Sequence, residues 1–330
     1  MTDPDKKLVL VPTPGPLSTE LQEDVESAKR FASHSRAANT VRAYESDWKQ
    51  FKEWCVSREQ EAENAKPGAV AAFLSWFIKQ DGIHLPTVLR AYSGIAKFFR
   101  LRKSEGWPER GRPIEISEVL SGMQRDYTHV VKKKQAVTEK ELKSMLSTIE
   151  PGIEGIRNRA LILTGFFGAF RRTALVSLDV SDVTFEPAGM KIVIRRDKTD
   201  QKGKGRIIGI LYTSNPSLCA IRALQAWFDV SGIKEGPIFR SFSRTKNILN
   251  KRLPAEVVAN VVKKLALAAN LDPTRFGGHS LRAGFVTQAA RKGKSLAAIM
   301  QQTGHVNSDT VLGYIRYETV FDDNATEGLI

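Results

Sequence analysis

Residues 156–170 read Ile-Arg-Asn-Arg-Ala-Leu-Ile-Leu-Thr-Gly-Phe-Phe-Gly-Ala-Phe, the stretch that most limits what this chain can fold into. Wound as a helix, its later residues are apolar on most faces, so other elements must cover it from several sides. Its apolar part, 160–170, and a second run at 68–78 are about half the length of a bilayer span, which takes roughly 20 residues. Both are core helices, and a chain of 330 residues can bury them in two well-packed domains.

The chain ahead of this run is helical by its periodicity. From Thr40, Val41, Tyr44, Trp48, Phe51 and Trp54 recur at three- and four-residue steps, with Arg42, Lys49 and Lys52 on other faces. This aromatic stripe reads as core in preference to a base-stacking platform. A second helix follows Pro67 and uses Val70, Phe73, Leu74 and Phe77. A third, from Thr87, turns Val88, Tyr92, Ile95 and Phe99 inward and leaves Arg90, Lys97, Arg100, Arg102 and Lys103 for solvent or phosphate. A fourth starts after Ser117 and runs toward Tyr127. Before them, residues 1–34 carry Pro12, Pro14 and Pro16 and then acids at Glu20, Glu23, Asp24 and Glu26, a mobile arm with one short helix.

Lys132-Lys133-Lys134-Gln135-Ala136 interrupts the pattern, and Thr138-x-x-Glu141 then forms a capping box that opens a new helix. We place a domain boundary near residue 135, giving an arm (1–34), a helical domain (35–131), a basic linker (132–136), a second domain (137–317) and a tail (318–330). In the second domain, β-rich runs at 190–195 and 206–211 flank a Gly- and Lys-rich connector and read as a small antiparallel hairpin. Helices at 218–230 and 254–269 follow. The expected fold is mainly α with a small antiparallel β-sheet: an all-α N-terminal domain and an α+β second domain.

Charge narrows the partner. The 50 Lys and Arg outnumber the 36 Asp and Glu, for a net charge of +14, which points to a polyanion and first to nucleic acid. Cys55 and Cys219 have no His or Cys neighbours at metal-ligand spacing, which argues against a zinc site or disulfide framework and fits a reducing cytoplasm. Leu8-Val9-Leu10-Val11 is too short for a secretion signal, and no membrane segment is expected.

The chemistry concentrates near the C-terminus. His279 and Arg282 in Gly278-His279-Ser280-Leu281-Arg282 lie three apart, so on a helix both can reach one anion. Gly304-His305 follows, and Tyr314 nine residues after His305 is the candidate nucleophile, with Tyr317 its rival. A phenol is mostly protonated at neutral pH and needs cationic neighbours or a base. A guanidinium, two imidazoles and a tyrosine describe a phosphoryl-transfer site that needs no metal or other cofactor.

These motifs in this order, with Arg171 and Lys198 upstream, resemble the tyrosine recombinase (phage integrase) family in its Cre-like two-domain form, from Ser35 onward. The resemblance implies a helical core-binding domain on DNA and a catalytic domain in which Tyr314 attacks a phosphodiester. A 3′-phosphotyrosyl bond forms and a 5′-hydroxyl leaves. Arg171, with Arg172 as its neighbouring alternative, and Arg282 would hold the phosphate oxygens. Lys198, with Lys202 and Lys204 as competitors, would protonate the leaving oxygen. His279 would assist proton transfer and His305 would hydrogen-bond the phosphate. Lys132, Lys133 and Lys134, with Arg90 and Arg100, would contact double-stranded DNA. The family usually has an acidic residue three positions after the first arginine, where this chain has Ala174.

From Glu318 onward the tail has four acids, no Lys or Arg, and apolar Val320, Phe321, Leu329 and Ile330. The resemblance implies that it docks on another protomer, in a dimer or tetramer on DNA; a solvated terminus is the alternative. Site-specific recombination (integration, excision or resolution) is the expected function, set against DNA relaxation of the type IB topoisomerase kind and against a DNA-binding protein that no longer cuts.

Overall fold

A computed structural model describes residues 19–33, 38–127, 134–195 and 205–318 of the chain. The chain divides into two compact units, Met1–Val131 and Lys132–Ile330.

The first unit is helical: α1 (Thr19–Ser33), α2 (Ala38–Val56), α3 (Pro67–Phe77), α4 (Leu85–Leu101) and α5 (Ile114–Asp126). Its centre is the expected aromatic stripe. Phe51, Phe73 and Phe99 are fully buried, Phe51 meets Phe73 edge-on with centroids 5.2 Å apart, and Phe99 stacks on Trp107 at 4.5 Å. Pro67 opens α3, where its missing N–H costs nothing. The last helix begins earlier than its sequence suggests. Pro113 is its N-cap and the Ser117 N–H already donates to the Pro113 carbonyl at 3.0 Å, so Ser117 lies within the first turn.

Two arginines assigned to phosphate contact have work inside this unit. Arg90, 43% exposed, donates to Asp47 at 2.9 Å, and the Asp47 side chain is wholly buried. Burial raises the Asp47 pKa and Arg90 opposes that rise, so the arginine is what keeps a charge tolerable there. Arg100 donates to the Gly111 carbonyl and thereby ties the α4–α5 loop to its helix. Both residues, expected to be available to solvent or phosphate, thus also make contacts within the unit.

The second unit begins by docking its entry strand. Gln135 N–H donates to the Arg275 carbonyl at 2.7 Å, Val137 N–H to the Ser280 carbonyl at 3.0 Å, and the Lys134 ammonium to the Thr274 carbonyl. Lys134, expected on phosphate, is thus bonded within its own unit; Lys132 and Lys133 lie outside the described residues. The capping box is present, with Thr138 N–H on the Glu141 carboxylate at 3.0 Å, and starts α6 (Glu139–Ser147).

Next comes α7 (Ile153–Phe167), the helix of the apolar run, with Ala160, Leu161, Ile162 and Leu163 at zero exposure. Around it are α8 (Arg172–Ser177), α9 (Ala220–Ser231), α10 (Ala255–Ala268) and α11 (Ser280–Arg291), followed by α12 (Leu296–Thr303) and α13 (Ser308–Glu318). A three-stranded antiparallel sheet, β1 (Val183–Glu186), β2 (Gly189–Ile194) and β3 (Arg206–Leu211), buries Met190, Ile192, Ile194, Ile208 and Ile210 against the helices. The expected hairpin is β2–β3. The sequence reading missed β1, and it missed a separate pair, β4 (Arg240–Phe242) and β5 (Ile248–Arg252). No helix among the described residues is long and apolar enough to cross a membrane.

One departure matters for the site: α7 stops at Phe167, three residues short of its expected end. Gly168 caps it, and Ala169 then takes a left-handed φ of +48°. That turn brings Ala169 and Phe170 into the core and delivers Arg171 at the N-cap of α8.

Close packing of the entry strand on α11 depends on Gly284. A Cβ there would lie 1.9 Å from the Val137 carbonyl oxygen. Exchanging glycine for alanine in a helix gains at most about 1 kcal/mol, whereas overpacking against backbone costs roughly 1–3 kcal/mol, so the clash wins. Gly284→Ala is expected to lower the unfolding transition of the second unit, measured by calorimetry; an unchanged or raised transition would contradict this packing.

Candidate active site

Four elements of the second unit converge on one spot: the turn before α8, the N-terminus of α11, the turn after α12, and α13. His279 is the N-cap of α11 and its Nε2 makes a short hydrogen bond with the Tyr314 hydroxyl from α13. The His279 ring centroid is 5.8 Å from that of Tyr314, and the His305 ring centroid is 6.3 Å from it. Arg282, one turn along α11, is at zero exposure, donating through Nη1 to the Ala169 carbonyl at 2.6 Å and through Nη2 to His305 Nε2 at 2.9 Å. The early end of α7 therefore supplies the carbonyl that holds this guanidinium.

The His305 turn is built with care for its backbone. Gly304 is left-handed (φ +68°) at the C-cap of α12, and a Cβ there would sit 2.6 Å from Arg206 Nε. Arg206, the first residue of β3, donates to the carbonyls of Gln301 (3.3 Å), Gln302 (2.7 Å) and Thr303 (3.2 Å). A cation on the last carbonyls of a helix satisfies acceptors that have no partner within it and complements the helix dipole. Gln302 reaches the Phe167 and Gly209 carbonyls at 2.9 and 3.2 Å, fixing the same turn to α7 and the sheet.

Electrostatically the site is cationic. His279 is held below the ordinary histidine value by loss of water around its ring and then by Arg282, Arg171 and Arg172. His305 is pushed down to about 4, first by burial and then by Arg282, Arg171, His279 and Arg206. Burial raises the Tyr314 pKa while Arg282 and Arg171 pull it down. In the absence of an anion, then, two neutral imidazoles face a protonated phenol. That leaves His279 able to accept the phenolic proton.

Arg171 acts on all three of these groups, whereas Arg172 acts only on His279, and the Arg172 stem lies over Gly278, where a Cβ would come within 2.1 Å of Cδ. Of the two candidates, the charge that reaches the whole cluster is that of Arg171. Ala174 is buried among apolar side chains of α8, so this position supplies no carboxylate. Lys198, Lys202 and Lys204 lie outside the described residues, as do the side chain of Tyr317 and the tail from residue 319. No group of His, Cys, Asp or Glu able to hold a metal occurs among the described residues.

Three contributors escaped the sequence reading: Ala169, Arg206 and Thr303. Ala169 works through its carbonyl, which carries no sequence signal. Arg206 could be read only as the start of a strand. Thr303 precedes the conspicuous Gly-His, and its hydroxyl meets His305 Nδ1 at 2.8 Å.

Residues 135–319 match the phage integrase family, and residues 29–106 match the N-terminal SAM-like domain of phage integrases. The chain is 34% identical to an integrase/recombinase XerD homolog of Selenomonas ruminantium over 90% of its own length and 87% of that protein. Its fold is similar to that of the XerH site-specific recombinase in a post-cleavage complex with its palindromic difH substrate, with a TM-score of 0.64 at 20% identity over 93% of this chain and 82% of that one. It is also similar to a lambda integrase dimer bound to a COC′ core site, with a TM-score of 0.61 at 17% identity over 91% and 82%. The family match over more than half of the chain and the 34% identity to the XerD homolog place the chain in the phage integrase family, the tyrosine recombinases.

Proposed function

We propose that the protein is a site-specific DNA recombinase that cuts and rejoins DNA through a phosphotyrosyl intermediate on Tyr314. The observation that carries this reading is the bond between the Tyr314 hydroxyl and His279 Nε2 within reach of the Arg171 and Arg282 charges. A phosphodiester entering among these groups would bring negative charge to a cationic cluster. Arg171 and Arg282 hold its non-bridging oxygens and stabilise the charge that grows on them as phosphorus becomes five-coordinate.

In the cutting step the Tyr314 oxygen bonds to phosphorus and its proton passes to His279. The bond from phosphorus to the 5′-oxygen breaks, and that oxygen takes a proton from the Lys198 ammonium. The product is a 3′-phosphotyrosine and a 5′-hydroxyl. Because the phosphoester energy stays in the covalent link, a second 5′-hydroxyl reverses the step with no external energy source. His305, whose nitrogens meet Arg282 Nη2 and Thr303 Oγ1 in this structure, would hydrogen-bond the phosphate when DNA is bound.

Double-stranded DNA as the partner is supported by the net charge of +14 and by the DNA-bound state of the recombinases with this fold. Pairing of protomers on DNA is supported by the lambda integrase dimer, and the tail from Glu318 is our candidate for the linking segment. The two cysteines are free and buried, which suits a reducing cytoplasm.

On nicked duplex DNA carrying a site mapped from covalent protein–DNA junctions, Tyr314→Phe should form no adduct and still bind. An adduct that survives Tyr314→Phe and is lost in Tyr317→Phe would move the nucleophile. Arg282→Gln should slow cutting by about 10²–10³-fold, the usual result of removing one such donor. With two differently labelled duplexes, recombinant joints are expected; relaxation of supercoils without joints would make the enzyme a DNA-relaxing one instead.

Acid should weaken both chemistry and fold. The His305 pKa is about 4 when folded against 6.5 for an ordinary histidine, so on acidification the unfolded chain binds the proton first. This share of stability is complete above pH 6.5 and is lost as pH falls through 4, visible as a falling urea midpoint. Cutting should decline in the same direction as His279 gains its proton, at a pH below the ordinary histidine value. A urea midpoint that rises on acidification would refute the neutral assignment of these rings.

A further inference from the structure

The end of α12 is held by a cation that comes from elsewhere in the chain. The last four carbonyls of a helix have no partner within it, and in α12 these belong to Met300, Gln301, Gln302 and Thr303. Gly304 N–H, at the left-handed C-cap, donates to the Met300 carbonyl at 2.7 Å. The other three are met by one side chain: Arg206 donates through Nη1 to Gln301 (3.3 Å) and Gln302 (2.7 Å) and through Nη2 to Thr303 (3.2 Å). The last turn of α12 has no basic residue of its own, so the charge that complements this helix end is supplied by the first residue of β3.

The guanidinium also lies over the peptide that leads into His305. A Cβ at Gly304 would be 2.6 Å from Arg206 Nε and 3.0 Å from Cζ, so the glycine is what lets the arginine close on the turn. Gln302 fastens its own residue to the Phe167 and Gly209 carbonyls, whereas Arg206 reaches on to the Thr303 carbonyl and covers Gly304. On the far side Val306 is 83% exposed, so packing does not hold the turn there. The backbone that enters His305 is therefore set from β3, and the ring it presents meets Arg282 at 2.9 Å with its centroid 6.3 Å from that of Tyr314.

We propose that Arg206 is a positioning residue for the cleavage reaction: by closing the last three carbonyls of α12 it fixes the turn that carries His305 into the cluster with Arg282 and Tyr314. Its contacts are with the backbone, so it acts on the chemistry only through His305. A planar guanidinium offers separate nitrogens to carbonyls spread over three residues, where a lysine has one. The inference rests on the reading of this cluster as the DNA-cutting site.

Single-turnover formation of the covalent adduct on the nicked duplex tests it. Arg206→Gln should cut about tenfold more slowly than the wild type at unchanged DNA affinity, a loss within the range for a reacting group displaced by under about 1 Å. In His305→Asn, itself slow, adding Arg206→Gln should change the rate by less than about twofold, because two members of one unit are not additive. Arg206→Lys should cut roughly threefold more slowly than the wild type and lose that deficit in the His305→Asn background, and it decides the matter should the glutamine variant not fold. A wild-type rate in either variant, or the full loss in the His305→Asn background, overturns the proposal. So does a loss of DNA affinity in place of a loss of rate, which would make Arg206 a DNA contact.

The His305 ring gives a readout that does not depend on cutting. Its titration is followed by NMR in the full chain, with the signals assigned by their loss in His305→Asn. Burial first, and then the charges of Arg282, Arg171, His279 and Arg206, hold its pKa at about 4, so Arg206→Gln should move the midpoint upward. An unmoved midpoint overturns the proposal. A wild type that forms no adduct would overturn the cutting-site reading itself; an adduct formed as fast by Arg206→Gln as by the wild type would overturn this proposal alone.

Discussion

A guanidinium at zero exposure is an unusual thing for a fold to accept, and the second unit is arranged to accept Arg282. Taking such a charge out of water is expensive unless hydrogen bonds and compensating charge meet it. The protein supplies the first through the Ala169 carbonyl and His305. The charged groups that shift His279, His305 and Tyr314 are cationic. In the proposed reaction a phosphate would bring negative charge to this cationic cluster.

The same charges bear on the protonation states. Arg171 and Arg282, proposed to hold the phosphate, also discourage a positive charge on the two imidazoles, which favours the unprotonated state that the proposed base needs. Burial holds Tyr314 in its phenol form against the pull of Arg171 and Arg282. The nucleophile is therefore quiet in the empty enzyme, and the neighbouring imidazole is in the state that can receive its proton.

Much of this was legible in the residue order. Periodicity of three and four located the helices of the first unit, because burying an aromatic stripe leaves a strong imprint on sequence. His279, Arg282, His305 and Tyr314 could be gathered because their chemistry and spacing are distinctive, and the coordinates bring those four together. The end of α7 was not legible: apolar residues continue through Phe170, and only the left-handed backbone at Ala169 reveals the stop. Short strands such as β1, four residues of mixed polarity, give too few alternations to read. Arg90 and Arg100 looked available because a basic side chain on a helix carries no sign of the Asp47 or Gly111 that it will meet from elsewhere in the chain.

Arg206 has a mechanical meaning beyond its hydrogen bonds. It stands at the first position of β3 and grips the end of α12 through three carbonyls, while Gln302 reaches back to the strand at Gly209. Sheet and histidine turn are consequently one lever arm. Removing the Arg206 guanidinium would therefore loosen the start of β3 and the His305 turn together.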